Sequence, residues 1–162
     1  MCEEIITGLS RFSYLRVIAR ASTSRYTRQP TDLRTAGKEL GARYVLDGSL
    51  RQSGTRIRAT VQLSDTTTGA QLWSETYERP FTPETMFELQ DDLAPRIVST
   101  MADAYGVLPK SMSQALRGKP IAQLTPHEAL LRSFSFAKRV TSEEHAIARA
   151  AIEHALEFWI EL

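Results

Sequence analysis

The sequence predicts an α/β fold: a mixed, mainly antiparallel sheet with helices packed against it, followed by a helical hairpin. Three observations carry this expectation. Residues 39–79 hold three runs of alternating apolar and polar side chains separated by turn signals. Met86, Leu89, Leu93, Ile97, Met101 and Tyr105 recur every three or four residues, the spacing of one helix face. From Thr125 onward, two further helix-periodic runs each begin at a capping residue.

Taken in order, Ile5, Ile6, Leu9 and Phe12 lie at helical spacing, and Glu3 and Glu4 suit a helix N-terminus, so a helix is predicted over Glu3 to Phe12. Leu15, Arg16, Val17, Ile18 and Ala19 alternate little and read as a short strand covered on both faces, inside the sheet. The hydroxyl-rich run Ala21 to Thr31, broken by Pro30, reads as a loop. Thr31 is the expected cap of a helix over Asp32 to Leu40, with Leu33, Ala36 and Leu40 inward and Gly41 in the left-handed position that ends it.

Three strands follow. Tyr44, Leu46, Gly48 and Leu50 alternate with Val45, Asp47, Ser49 and Arg51. After the turn pair Ser53-Gly54, Ile57, Ala59, Val61 and Leu63 form an inner face, and Arg56, Arg58, Thr60, Gln62 and Ser64 an outer one. A second turn over Asp65 to Gly69 leads to a strand holding Leu72 to Tyr77. In the long helix from Met86 to Tyr105, Pro95 removes a backbone donor, which predicts a kink or break near Leu93 and Ala94. Residues 108–124, with Pro109, Gly118 and Pro120, read as a linker containing one short helix around Ser113 to Arg117. Thr125-Pro126 opens a helix through Leu130, Leu131, Phe134 and Ala137, and Ser142 to Leu156 gives its partner, rich in small residues. The domain division is therefore 1–107, an α/β domain; 108–124, a linker; and 125–162, a helical hairpin.

The order E-L-G-x-R-Y-V-L-D-G-S-L-R, then R-I-R-x-T-x-Q-L, then T-T-G-A-Q-L-W-S-E-x-Y resembles the TolB amino-terminal-like domain. Each short motif is unspecific; their sequence order carries the resemblance, which covers Glu3 to Gly106, about two thirds of the chain. It implies a domain lying between a bacterial signalling output domain, such as a class III adenylyl cyclase or a winged-helix regulator, and a tetratricopeptide array. The run SEEHAIARAAIEHAL is similar to the opening of a tetratricopeptide repeat, but the family's Trp and Gly positions are absent, and EFWIEL replaces its proline-bearing exit. Because one repeat cannot bury its apolar face alone, Phe158, Trp159, Ile160 and Leu162 read as contact residues awaiting a partner. Members of the resembled family begin with an apolar strand that has no counterpart here, which points to a fragment or shortened product with an unpaired edge beside Leu15 to Ala19.

Composition sets bounds on function. With 42% hydrophobic and 24% charged residues in 162, the chain is globular rather than disordered. No apolar run approaches the ~18 to 20 residues of a membrane span, and Met1 to Glu4 lack the order of a signal peptide, so no membrane span and a cytoplasmic location are expected. A periplasmic location is the alternative, since TolB itself works there. Cys2 is the only cysteine, which excludes an internal disulfide. Residues 1–60 hold 11 Lys and Arg against 5 carboxylates, and the remainder is acidic. Arg51, Arg56 and Arg58 make a candidate basic surface, but long charged side chains on an outer strand face also discourage edge pairing, and no interleaved aromatics suggest base stacking.

No catalytic constellation is legible. His145 and His154 are nine residues apart, ~900° around a helix, and so lie on opposite faces. With His127 they form no ligand cluster, and no metal or cofactor site is expected. Adjacent Asp91 and Asp92 diverge by ~100° and read as a solvated face, and Asp47 reads as a cross-strand partner of Arg51 or Arg56. The glycines match no phosphate loop, and Ser10, Ser22 and Ser24 lack a nucleophile elbow. Trp73 and Tyr77 share one strand face and read first as a packed aromatic ladder, second as a ligand platform. With Phe158 and Trp159 they are the candidate interaction residues.

The resemblance and the missing chemistry together point to a non-catalytic regulatory or sensory module that binds a protein partner or itself. Two alternatives stand: a small-ligand sensor with a pocket between the Ala21 to Thr31 loop and the sheet, and a nucleic-acid binder using the basic half, which lacks a second signal.

Overall fold

The computed structural model describes residues 1–27, 32–134 and 141–160, excepting the side chains of 83–87, 89–90 and 158–160. It is an α/β protein dividing into two compact units: Met1–Ser10 with Val17–Arg96, and Arg11–Arg16 with Ile97–Leu162.

In the first unit, helix α1 (Cys2–Leu9) buries Ile5 and carries Glu3 and Glu4 in its first turn, where the helix dipole favours acids. It stops short of Phe12. The Ser10 hydroxyl donates to the Ile6 carbonyl at 2.8 Å and the Ser10 N–H to the same oxygen at 2.9 Å, closing the last turn. The run expected to be a loop coils instead into α2 (Arg20–Thr23) and a 3₁₀ turn (Ser24–Thr27). Its hydroxyls explain this: Thr23 donates to the Arg20 carbonyl and Ser24 to the Ala21 carbonyl, each at 3.1 Å. The expected cap Thr31, with Pro30, lies outside the described residues. In its place the Asp32 carboxylate accepts from the Thr35 N–H and caps α3 (Leu33–Leu40). Gly41, at φ 63°, ends the helix as expected: Ala42 N–H donates to the Gly37 carbonyl at 2.8 Å and Gly41 N–H to that of Lys38 at 3.3 Å.

Strands β1 (Tyr44–Ser53), β2 (Arg56–Asp65) and β3 (Gln71–Pro80) form an antiparallel meander in that spatial order. Gly54, at φ 56°, makes the first turn, setting Ser53 opposite Arg56. In the second, Asp65 accepts the N–H groups of Thr67 and Thr68 at 2.8 and 3.2 Å, and Gly69 takes φ 74°. Ile57, Ala59, Val61 and Leu63 are all buried, as their alternation required, with Tyr77 opposite Ala59 and Leu46 opposite Leu63. Burying four such side chains contributes on the order of 1–3 kcal/mol each.

Leu15 to Ala19 is not a strand, and among the described residues the sheet is wholly antiparallel rather than mixed. Side-chain anchoring overrides the β-propensity of this run. Arg11–Arg16 belongs to the second unit, where the Tyr14 hydroxyl donates to the Ala102 carbonyl and the Tyr14 ring meets Phe12 and Phe134 edge-on at 5.9 and 5.3 Å. Helix α4 (Pro83–Ala102) continues unbroken through Pro95. The lost donor is tolerated because the residues around it are packed: Leu93 and Ala94 are buried, and Ile97 and Met101 fully so. The helix ends at Ala102, leaving Tyr105, expected inside, 70% exposed. The side chains of Met86 and Leu89 lie outside the described set.

In the second unit, the stretch expected as a linker carries α5 (Val107–Ala115) and a 3₁₀ turn (Ile121–Gln123). Leu108, Pro109, Ser113 and Leu124 are buried, so the stretch contributes to a core although its Pro and Gly content reads as spacer. Helix α6 (Pro126–Ser133) starts at a full capping box, Thr125 with Glu128, and α7 (Ser142–Ile160) packs on it. Leu124, Ala129 and Ala151 form a buried cluster with Leu116, Ile121 and Ala155 against it. Arg132 and Glu144 pair at 3.7 Å, with side chains only 9% and 13% exposed.

Candidate interaction surface

The outer sheet face follows from strand alternation. It carries Arg51, Arg56 and Arg58 together with Thr60, Gln62, Thr76 and Glu78, all of them polar. Arg51 sits directly across from Arg58, a like-charge pair, and Arg58 directly across from Glu78. Glu78 pairs with both Arg58 and Arg56, the latter at 3.5 Å, so one carboxylate serves two exposed guanidinium groups. The Thr60 and Thr76 hydroxyls lie 3.2 Å apart. Asp47 does not pair with arginine as expected; its direct cross-strand neighbour Gln62 donates to it at 3.4 Å. The three predicted arginines are thus brought together, but no aromatic side chain interleaves with them on that face, so base stacking has no platform there.

Trp73 and Tyr77 lie on the opposite face. Trp73 is half-buried opposite Leu63. Tyr77 is only 6% exposed, under the Arg96 guanidinium at 5.6 Å, and bonds through its hydroxyl to Glu75. Burial first, then the Glu75 carboxylate, pushes its phenol up to about 12. Tyr77 is therefore a core residue and not a contact surface, with the Arg96 side chain of α4 lying over its ring. Phe158 and Trp159 lie outside the residues whose side chains are described.

Strand alternation alone did not reveal the state of β1. Among the described residues β1 pairs only with β2, and Gly48, Ser49, Leu50, Arg51 and Gln52 are all exposed. Leu50 belongs to the inner face, opposite Ala59, yet is 50% exposed. An open strand edge with an apolar side chain beside it is a template for pairing with another strand. The missing signal is that an alternating pattern does not tell an edge strand from a central one.

Asp91 and Asp92 are exposed as expected, and Asp92 meets Arg79 at 3.6 Å. His127 and His145 are exposed; His154 is half-buried, with Nε2 3.1 Å from the Leu124 carbonyl. Among the described residues no three His, Cys, Asp or Glu side chains converge on a common metal position, and no helix is long and apolar enough to cross a membrane.

Among the described residues the antiparallel sheet has three strands, with β1 and β3 as its two edges. Residues 1–96 match the model of the HilA/YgeH-like transcriptional regulator second domain, and the chain belongs to that family. Over 99 residues it is 46% identical to a Rhizobium meliloti (strain 1021) protein named "Putative adenylate cyclase 3". That match takes in 61% of this chain and 16% of the relative's length. No solved structure matches the chain.

Proposed function

We propose that this chain is a non-catalytic regulatory module of a bacterial signalling protein, acting by strand pairing at β1 with a second copy or a partner. One observation carries the reading: the domain that matches the second domain of a transcriptional regulator also recurs in a protein named for cyclase activity. A domain found beside two different outputs serves what they share, which is control. In finer terms the α/β part is a TolB amino-terminal-like domain, and α6 with α7 opens a repeat array, as their sequence motifs suggest. The chain itself makes no cyclic nucleotide.

Two measurements test this. Incubation of the purified chain with ATP and Mn²⁺ should yield no cyclic AMP; turnover would place catalysis inside the chain. Light scattering with size-exclusion chromatography over a concentration series shows association; a monomer throughout, with no gain from an added β-strand peptide, sinks the strand-pairing role.

A further inference from the structure

Helix α3 and the β2–β3 turn enclose a solvent-open groove of about 280 Å³ lined by Arg34, Lys38, Arg43, Thr66, Thr67 and Gly37. The helix lies directly on the turn: a Cβ at Gly37 would stand 2.4 Å from the Thr66 Cβ, which only glycine avoids. Two of the three cations are held in place by the turn itself. Arg43 donates through Nε and Nη2 to Asp65, each at 3.2 Å, and that buried carboxylate is fixed by the Thr67 and Thr68 N–H groups. Arg34 donates through Nη2 to the Thr68 carbonyl at 2.8 Å, its guanidinium lying over Gly69, where a Cβ would meet it at 3.1 Å.

These turn contacts account for Arg34 and Arg43 but not for Lys38 beside them. Arg34 and Lys38 are four residues apart on one helix, so they share a face, and like charges at that spacing destabilise a helix. Lys38 in the last turn of α3 is favoured by the helix dipole; Arg34 in the first turn is disfavoured by it. Among the described residues lining the groove there is no carboxylate. Asp65 neutralises one of the three cations, and two positive charges remain among the residues that line the groove.

We propose that this groove binds a phosphate group as its dianion. Two guanidinium forks with unused donors and one ammonium supply the hydrogen bonds such a group accepts, and the residual charge of two matches it better than a carboxylate. The site is separate from the β1 edge, so its failure and that of the strand-pairing reading are independent.

The test is NMR and calorimetric titration of the full chain at physiological ionic strength with inorganic phosphate, a phosphoserine peptide and acetate. Saturable binding of phosphate or the phosphopeptide, with shifts at Gly37, Thr66 and Thr67, is expected. Arg34→Gln and Lys38→Gln, both at exposed positions, should weaken it by about tenfold or more, and Arg51→Gln on the outer sheet face should not. Tighter binding of the peptide than of free phosphate assigns the group to a protein partner; equal binding assigns it to a free ligand. Shifts that never saturate, an equal loss in Arg51→Gln, or acetate binding as well as phosphate would each overturn the proposal.

Discussion

Asp65 holds the β2–β3 turn through two backbone N–H groups and Arg43, with a side chain only 4% exposed. Burial raises its pKa, but the N–H donors of Thr67 and Thr68, with Arg43, outweigh it and hold the carboxyl below its ordinary value of 3.8. A depressed folded pKa contributes stability that is complete above the ordinary value and lost as pH falls through the lowered one. Asp65→Asn should therefore cost about 1.5–3 kcal/mol near neutrality and flatten the acid limb of stability below about pH 4, measured by urea unfolding against pH. Tyr14 and Tyr77 make the opposite case. Burial, with Asp103 and Glu75 respectively adding to it, pushes both phenols up to about 12 from 10.0. Their contribution is complete below pH 10 and lost as pH rises toward 12, so in an ultraviolet titration both should ionise late, as should Tyr26, whose phenol its hydrogen bond to Glu39 also raises, and Tyr14→Phe and Tyr77→Phe should each remove one late step. The turn at Asp65 was legible because D-T-T-T-G is a local signal; the burial of Tyr77 was not, because the Arg96 side chain of α4 lies over its ring from outside the strand's own pattern.

At the scale of elements, β1 to β3 and α3 were legible because strand alternation and a glycine C-cap are written within a few residues. The run at Leu15 to Ala19 was misread because β-propensity is met only when a partner strand lies alongside, and here Tyr14 is tied to Ala102, Phe12 and Phe134 instead. α5 was misread as a linker because Pro109 near a helix start is compatible with helix, and burial of Leu108 and Pro109 outweighs the local composition. Helix α6 rests on its capping box, and its Glu128 also meets Lys119 at 2.6 Å. Thr125→Ala should cost about 1 kcal/mol and lower the melting temperature, while Thr125→Ser should restore most of it.

For the whole molecule, the open β1 edge is the feature with the largest consequence. Leu50→Lys places a charge beside it at a position already 50% exposed, so the variant should keep its circular dichroism and lose concentration-dependent association in light scattering. Unchanged association would move the contact elsewhere, with Phe158 and Trp159 the next residues to replace. The sequence by itself determined the meander, its turns, the α3 cap, the inner face of β2 and the absence of recognisable catalytic motifs, because each depends on neighbours within a few positions. Only tertiary structure decided that Leu15 to Ala19 stays out of the sheet, that Tyr77 is core, that β1 is an edge, and that Arg34, Lys38 and Arg43 surround one groove. Each of these depends on which distant segment lies alongside, and period and propensity do not encode that.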